Sequence, residues 1–261
     1  MNNYNINESV ILVTGAAGQL GQSVVNKALE SGASVICSDI SMENLKDASN
    51  ENAWNSQTML IEIDITNKES IQHALNSAIL KFGKVDSLVN NAGISVFDPW
   101  FERTEDDFDS VMDVNLKGTF LCMKEFFKYL IKSKNTGSVV NVASHYGLIS
   151  PDPRIYTDCQ RRNSEVYGAS KAGVIQMTKY FAVNAIQDGA SVRVNAIAPG
   201  GILNDKNPQG EDFQKLYSER CPMKRMANVN EMVGPILFLL SEDSSYINGH
   251  TIVIDGGMTS W

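Results

Sequence analysis

Tyr167 and Lys171 stand four residues apart in Tyr167-Gly168-Ala169-Ser170-Lys171, inside a stretch that reads as helix, and Ser144 lies upstream at the end of an apolar run. A phenol is almost wholly protonated at neutral pH, its ordinary pKa being about 10, so it needs a cation beside it to exchange protons. Residues at i and i+4 share one helix face, which lets a lysine hold positive charge near the phenol oxygen and favour phenolate. General acid/base catalysis is most effective when the pKa approaches the working pH. Taken alone, the Tyr-x-x-x-Lys spacing also fits two side chains on a solvated helix face, so the elements that position the pair must decide.

Short β-rich runs alternate with helical patterns along the chain of 261 residues. Val10 to Val13, Ser34 to Ser38, Met59 to Ile63, Ser87 to Val89, Ser138 to Val142, Val192 to Ile197 and Thr251 to Ile254 read as strands. Several are continuously apolar, as strands covered on both sheet faces should be. Between them, Leu20 to Ser31, Lys68 to Phe82, Asp107 to Lys132, Glu165 to Gln187 and Val229 to Leu240 read as helices, with Gly32 and Gly83 closing the first two. The alternation predicts right-handed crossovers and one α/β domain: a Rossmann-like, doubly wound parallel sheet of about seven strands with helices on both faces.

The first strand-to-helix junction carries Thr14-Gly15-Ala16-Ala17-Gly18-Gln19-Leu20-Gly21. Glycines there let the backbone approach a pyrophosphate at the positive end of the following helix. Asp39 ends the second strand 18 residues beyond Gly21, near the spacing at which a carboxylate binds the adenosine ribose hydroxyls. Between Thr14 and Asp39 the one cation is Lys27, in mid-helix, so a 2′-phosphate would meet Asp39 without compensation and NAD is favoured over NADP. Capping of a helix beginning near Met42 is a second role open to Asp39.

Composition narrows the classes. A net charge of −8 argues against general nucleic-acid binding, which rests on Lys and Arg neutralising phosphates. Cys37, Cys122, Cys159 and Cys221 are scattered, and the three histidines lie at no metal-ligand spacing, so neither a disulfide framework nor a metal site is expected and a cytoplasmic setting fits best. Met1 to Ser9 is polar, and no run approaches the length of a membrane span, so no membrane association is expected.

Thr14 to Gly21, Asp64, Asn90-Asn91-Ala92-Gly93, Asn115, Ser144, Tyr167 to Lys171, Asn195-Ala-Ile-Ala-Pro199-Gly200 and Asp255-Gly256-Gly257 occur in order over essentially the whole chain. Together they resemble the short-chain dehydrogenase/reductase family. The resemblance implies that Tyr167 exchanges the proton with the substrate oxygen while Ser144 hydrogen-bonds the same oxygen. Lys171 would lower the Tyr167 pKa and bind the nicotinamide ribose, and Asn115 would hold a relay water. The glycine loop with Gly15, Ala17, Gly18, Gln19, Leu20 and Gly21 would take the pyrophosphate, and Asp39 with Ile40 the adenosine ribose. Asp64 and Ile65 would flank the adenine, Asn91, Ala92 and Gly93 would pass beneath, and Pro199, Gly200 and Ile202 would hold the nicotinamide end. A homotetramer or homodimer pairing the two long helices is also implied.

Two departures stand out. The family's short members usually read Thr-Gly-x-x-x-Gly-x-Gly, whereas here the middle glycine is displaced to Gly18 and Gln19 takes its place. Ser144 and Tyr167 are 23 residues apart where the family commonly has about a dozen, which places an insertion at 151–164 beside the catalytic centre. That insertion carries Arg154, Arg161 and Arg162 with Tyr156, Gln160 and Asn163, and a lid-like segment at 201–227 adds Arg220, Lys224 and Arg225. Arginine favours bidentate binding of phosphate or carboxylate. The expectation is an anionic, polar small-molecule substrate such as a phosphorylated or nucleotide-linked sugar, contacted by Ser144, His145, Arg154, Arg161 and Arg162. The overall look is reminiscent of oxidoreductases of bacterial surface-sugar and flagellin-glycan pathways. Polyol or steroid-like alcohol dehydrogenases and 3-oxoacyl-carrier-protein reductases are alternatives, as is a non-catalytic NAD(H)-sensing regulator. Phe97, Pro99, Trp100, His145 and Tyr146 are expected to border the pocket.

Overall fold

The computed structural model describes residues 4–157, 162–204 and 206–261. Seven strands form one sheet: β1 Val10–Thr14, β2 Ser34–Asp39, β3 Thr58–Glu62, β4 Ser87–Asn90, β5 Thr136–Val142, β6 Ser191–Pro199 and β7 Thr251–Ile254. Their order is β3-β2-β1-β4-β5-β6-β7, with every neighbouring pair parallel. The order reverses between β1 and β4, which opens a crevice at their carboxyl ends.

Strand alternation feeds two cores. Val10 and Leu12 join Leu88, Val139 and Val194 on one face, whereas Ile11 and Val13 join Val35, Val89, Val140 and Ile197 on the other. The first face is covered by α3 Lys68–Phe82, α5 Thr119–Ser133 and α6 Glu165–Gln187, through Ile71, Leu75, Met123, Phe126, Ala182 and Ala185. The second is covered by α1 Gln19–Glu30, α2 Met42–Glu51 and α8 Asn230–Leu240, through Val24, Val25, Ala28, Leu45, Met232 and Ile236. Each such branched side chain removed from water contributes about 1.5–3 kcal/mol, which makes this double layer the main source of rigidity beneath the crevice.

The helix expected over 107–132 is instead two helices, α4 Glu105–Met112 and α5, joined by a π-helical turn at Asp113–Gly118. It begins two residues earlier because Thr104 and Asp107 form a reciprocal capping box. The π turn inserts an extra residue per turn and brings Asn115 to a fully buried position. Gly118 permits it: a Cβ there would lie 2.7 Å from Ile65 Cδ1. The helix expected to begin near Met42 is α2, capped by Ser41, whereas the mostly polar α7 Glu211–Arg220, which forms much of the lid-like segment, carries no pattern that marks it. No helix among the described residues is long and apolar enough to cross a membrane.

Candidate active site and cofactor cleft

The loops after β1 and β4 are tied together by two side chains. Thr14 Oγ1 accepts from the backbone N–H of Asn91 at 3.0 Å and of Ala92 at 3.1 Å, while Asn91 Nδ2 donates to the carbonyls of Thr14 at 3.0 Å and Gly15 at 2.9 Å. Gly15 sits at φ 65°, and a Cβ there would lie 2.9 Å from Ala92 Cα. Both its conformation and its neighbours exclude a side chain.

A cleft of about 420 Å³ runs over these loops, lined by Gly15, Gly18, Gln19, Leu20, Asp39, Ile40, Asp64, Ile65, Asn91, Ala92 and Gly93. Ser38, Ile63, Thr66, Ile94 and Val114 also line it, and no sequence motif marked them. The end of α1 facing the cleft is capped by Gly18 without a side-chain hydrogen bond, so the first-turn N–H groups remain for an anion. Asp39 Oδ2 accepts from Ala17 N at 3.3 Å and its Oδ1 from Ser41 N at 3.4 Å. Asp39 thus braces the glycine loop as well as the start of α2. Among the described lining residues the only charged side chains are the carboxylates Asp39 and Asp64. Asp64 turns inward on its own loop, its Oδ1 accepting from Thr66 N at 2.8 Å and Thr66 Oγ1 at 2.7 Å.

Two residues assigned to this cleft only support it. Ala17 acts through its N–H to Asp39, and Gly21 is a packing glycine whose Cβ would lie 2.2 Å from the Gly15 carbonyl oxygen. Gln19, at the position of the displaced glycine, donates through Nε2 to the Leu203 carbonyl at 2.9 Å. The substitution therefore links the glycine loop to the segment that follows β6. The glycine-rich loop, the bare helix end and the carboxylate that ends β2 together suit a dinucleotide.

A second cleft, of about 250 Å³, meets the first at Leu20 and is lined by Ser144, His145, Tyr146, Asn163, Tyr167, Pro199, Gly200 and Ile202. Ser144 follows β5, and its Oγ accepts from Tyr146 N at 3.1 Å and is hydrogen-bonded to the Tyr167 hydroxyl. Ser164 caps α6 by accepting from Tyr167 N at 3.2 Å, which sets the tyrosine on the first turn. Lys171, one turn on, is buried and donates from Nζ to the Val142 carbonyl at 2.8 Å. Asn115 is held by Ile94, whose N–H donates to its Oδ1 at 2.8 Å and whose carbonyl accepts from Nδ2 at 2.9 Å; Nδ2 also donates to Ser170 Oγ at 3.1 Å. Gly93 leaves room for both groups: a Cβ there would lie 3.2 Å from Asn115 Oδ1 and 3.3 Å from Lys171 Nζ.

The electrostatics correct one expectation. Burial pushes the Tyr167 phenol above its ordinary value, and the Ser144 hydrogen bond only partly opposes this. Lys171 does not draw it down here because its ammonium is aimed at the Val142 carbonyl and lies 5.6 Å from the Tyr167 ring centroid. Burial in turn pulls Lys171 down to about 8. A buried cation held by one carbonyl is poised to gain from any further acceptor placed beside it.

The arginines expected at the substrate separate. Arg154 is exposed and paired with Asp152, whose carboxyl is held at about 2 chiefly by the Arg154 hydrogen bond. Arg220 binds the same carboxylate, and Arg225 pairs with Glu231. None of these three lines the second cleft, and each is engaged by a carboxylate outside it. Arg162 is exposed, with its N–H donating to the Phe97 carbonyl at 3.1 Å. Arg161 and Gln160 lie outside the described residues. Tyr146 and His145 border the cleft as expected, but Phe97, Pro99 and Trp100 are not among its lining, and Trp100 is 73% exposed against Phe101. Gln209, Phe213, Tyr217 and Met226 complete the wall from the lid-like segment. Only the structure reveals them, because neither α7 nor the chain on either side of it carries a motif.

A doubly wound sheet with a dinucleotide-shaped cleft running into a Ser-Tyr-Lys centre defines a nucleotide-dependent oxidoreductase. Residues 15–259 match the family model described as enoyl-(acyl carrier protein) reductase. The chain is 38% identical over 253 residues to a 3-oxoacyl-[acyl-carrier-protein] reductase of Thermotoga maritima, covering 95% of this chain and 97% of that protein. It is 29% identical over 259 residues to post-translational flagellin modification protein A of Campylobacter coli, covering 97% and 98%. A short-chain dehydrogenase from Leptospira borgpetersenii, solved with bound NAD+, superposes with a TM-score of 0.85 at 36% identity, covering 97% of this chain and 93% of that one. The chain belongs to the short-chain dehydrogenase/reductase family.

Proposed function

We propose that this oxidoreductase is NAD-dependent and interconverts a secondary alcohol and a ketone on a polar, sugar-like substrate. The observation that carries the reading is the placement of Ser144 and Tyr167 in the cleft that meets the cofactor cleft at Leu20. A bound nicotinamide would supply the hydride acceptor. In the oxidative direction the Tyr167 oxygen takes the substrate hydroxyl proton while Ser144 Oγ hydrogen-bonds the same oxygen and fixes it. Lys171 supplies the positive charge, and Asn115, clamped by Ile94 and Ser170, holds the π turn beside it. Preference for NAD is supported by Asp39 at the ribose end and by the lack of Lys or Arg among the described residues of that cleft.

The polar character of the substrate is supported by the neutral donors and acceptors of the second cleft: His145, Tyr146, Asn163 and Gln209. A second reading, an anionic phosphorylated or nucleotide-linked sugar, is favoured by exposed Arg162 next to Asn163 and by the flagellin-modification relative. It predicts that Arg161→Ala with Arg162→Ala raises KM for a phosphosugar; an unchanged KM for every phosphosugar turned over sinks it. The main reading is tested by NADH formation across polyols, sugars, nucleotide sugars and hydroxyacyl thioesters, with NADP run beside NAD. Tyr167→Phe should lower kcat by about 10²–10⁴. Turnover at full rate in that variant overturns the mechanism.

A self-associated chain is supported by α6, which exposes Tyr180, Val183 and Ile186 at helical spacing, 57%, 61% and 48% accessible. We infer a homo-oligomer built on this helix, and a monomer at micromolar concentration in light scattering refutes it.

A further inference from the structure

His145 directly follows Ser144, is 2% exposed and still lines the substrate cleft. Its Nδ1 lies 2.9 Å from the Pro199 carbonyl oxygen. A carbonyl only accepts, so Nδ1 carries the ring proton and Nε2 of the neutral ring presents a bare lone pair. Burial lowers the imidazole pKa, which keeps the ring neutral at physiological pH. The ring is also held in place: its centroid is 4.1 Å from that of Tyr146 and 6.5 Å from that of Tyr217, which meets it edge-on at 88°. Among the described residues none donates to Nε2, and it is not one of the sealed polar atoms without a partner. A fixed acceptor is therefore accessible one residue away from the hydroxyl that binds the reacting oxygen, on a ring that lines both this cleft and a neighbouring cavity with Asp152, Arg220 and Trp261.

We infer that His145 Nε2 accepts a hydrogen bond from a hydroxyl on the carbon next to the one oxidised, so that the preferred substrates are vicinal diols and the corresponding α-hydroxyketones. This rests on the secondary-alcohol reading above and narrows it. Ser144 and His145 line the same cleft, which lets the two side chains contact neighbouring oxygens of one substrate. The rest of the wall is of the same neutral kind. Asn163 Oδ1 accepts from Ser95 Oγ at 3.1 Å, and Asn163 hydrogen-bonds Tyr146, whose hydroxyl is 3.2 Å from that of Tyr156. A substrate with a methylene beside its carbonyl leaves Nε2 without a donor in a desolvated site, which disfavours it.

The test compares butane-2,3-diol with butan-2-ol on the wild-type enzyme with NAD, then on His145→Asn. The asparagine keeps a donor for the Pro199 carbonyl but removes the acceptor at the Nε2 position. The wild type should prefer the diol in kcat/KM by about tenfold or more, the worth of one net hydrogen bond or somewhat above. His145→Asn should bring the ratio to within about threefold. Independently of turnover, the ¹⁵N resonance of Nε2 should move on saturation with the diol, assigned against His73 and His250. No turnover of any secondary alcohol defeats the parent reading. Turnover with equal efficiency on both alcohols, or an Nε2 resonance unmoved by the diol, overturns the role of His145 alone. The wild-type ratio and the resonance decide the question even where the variant does not fold.

Discussion

Lys171 is expected to destabilise the unliganded fold, and the size of that effect follows from its burial. Its pKa falls from an ordinary 10.5 to about 8 because the ammonium is removed from water, where it is left with the Val142 carbonyl at 2.8 Å. At about 1.36 kcal/mol per pKa unit, holding the charged form in the fold costs roughly 3 kcal/mol. The folded pKa lies below the unfolded one, so the cost is present in full below about pH 8, where both states are charged. It fades as pH rises toward 10.5, because the folded state has shed its proton while the unfolded state still binds one. Lys171→Met also loses the bond to Val142, a debit of about 1–1.5 kcal/mol, so the variant should be more stable than wild type by about 1–2 kcal/mol at pH 7.5. By pH 10 that advantage should shrink by about 2–3 kcal/mol and change sign. Urea denaturation of both proteins, without nucleotide, at the two pH values measures the difference, and other titrating groups cancel between them. A variant-minus-wild-type difference that stays flat between pH 7.5 and 10 refutes the burial argument. The same substitution should abolish turnover, which would make Lys171 a case of stability yielded to function.

Gln19→Ala removes the bond to the Leu203 carbonyl that ties the glycine loop to the lid-like segment. NADH should then leave about three- to tenfold faster in stopped-flow fluorescence, as loss of one net hydrogen bond implies; an unchanged off-rate means that the Lys206–Glu51 pair at the segment's tip suffices to hold it. Arg193→Met strips the carboxyl end of α8 of its partners, since the guanidinium donates to the Leu239 carbonyl at 3.0 Å, the Ser241 carbonyl at 3.0 Å and Ser244 Oγ at 2.9 Å. The melting temperature should fall by about 5–10 °C, from roughly 2–3 kcal/mol of unpaired carbonyls, and a fall under about 2 °C shows that water replaces the guanidinium freely.

What could be read from the residues alone divides along a physical line. The strands were legible because a parallel sheet covered on both faces demands uninterrupted Val, Ile and Leu, and α3 and α6 because their caps and apolar spacing are local; both helices fall at the expected residues, Lys68–Phe82 and Glu165–Gln187. Ser144 and Tyr167, 23 residues apart, were expected together from the ordered set of motifs rather than from any local spacing, and they line one cleft. The π turn at Asn115 was not legible, because its cause is tertiary: Ile65 fills the space that a side chain on Gly118 would need, and Ile94 clamps Asn115. The positions of Arg154, Arg220 and Arg225 were not legible for a related reason. Formal charge is a property of the sequence, but whether a guanidinium is free depends on the carboxylate it meets. Asp152 takes both Arg154 and Arg220, and Glu231 takes Arg225. The described side chains that line the substrate cleft carry no formal charge, and one of them, His145, owes its orientation to Pro199, a contact across 54 residues that no spacing rule reaches.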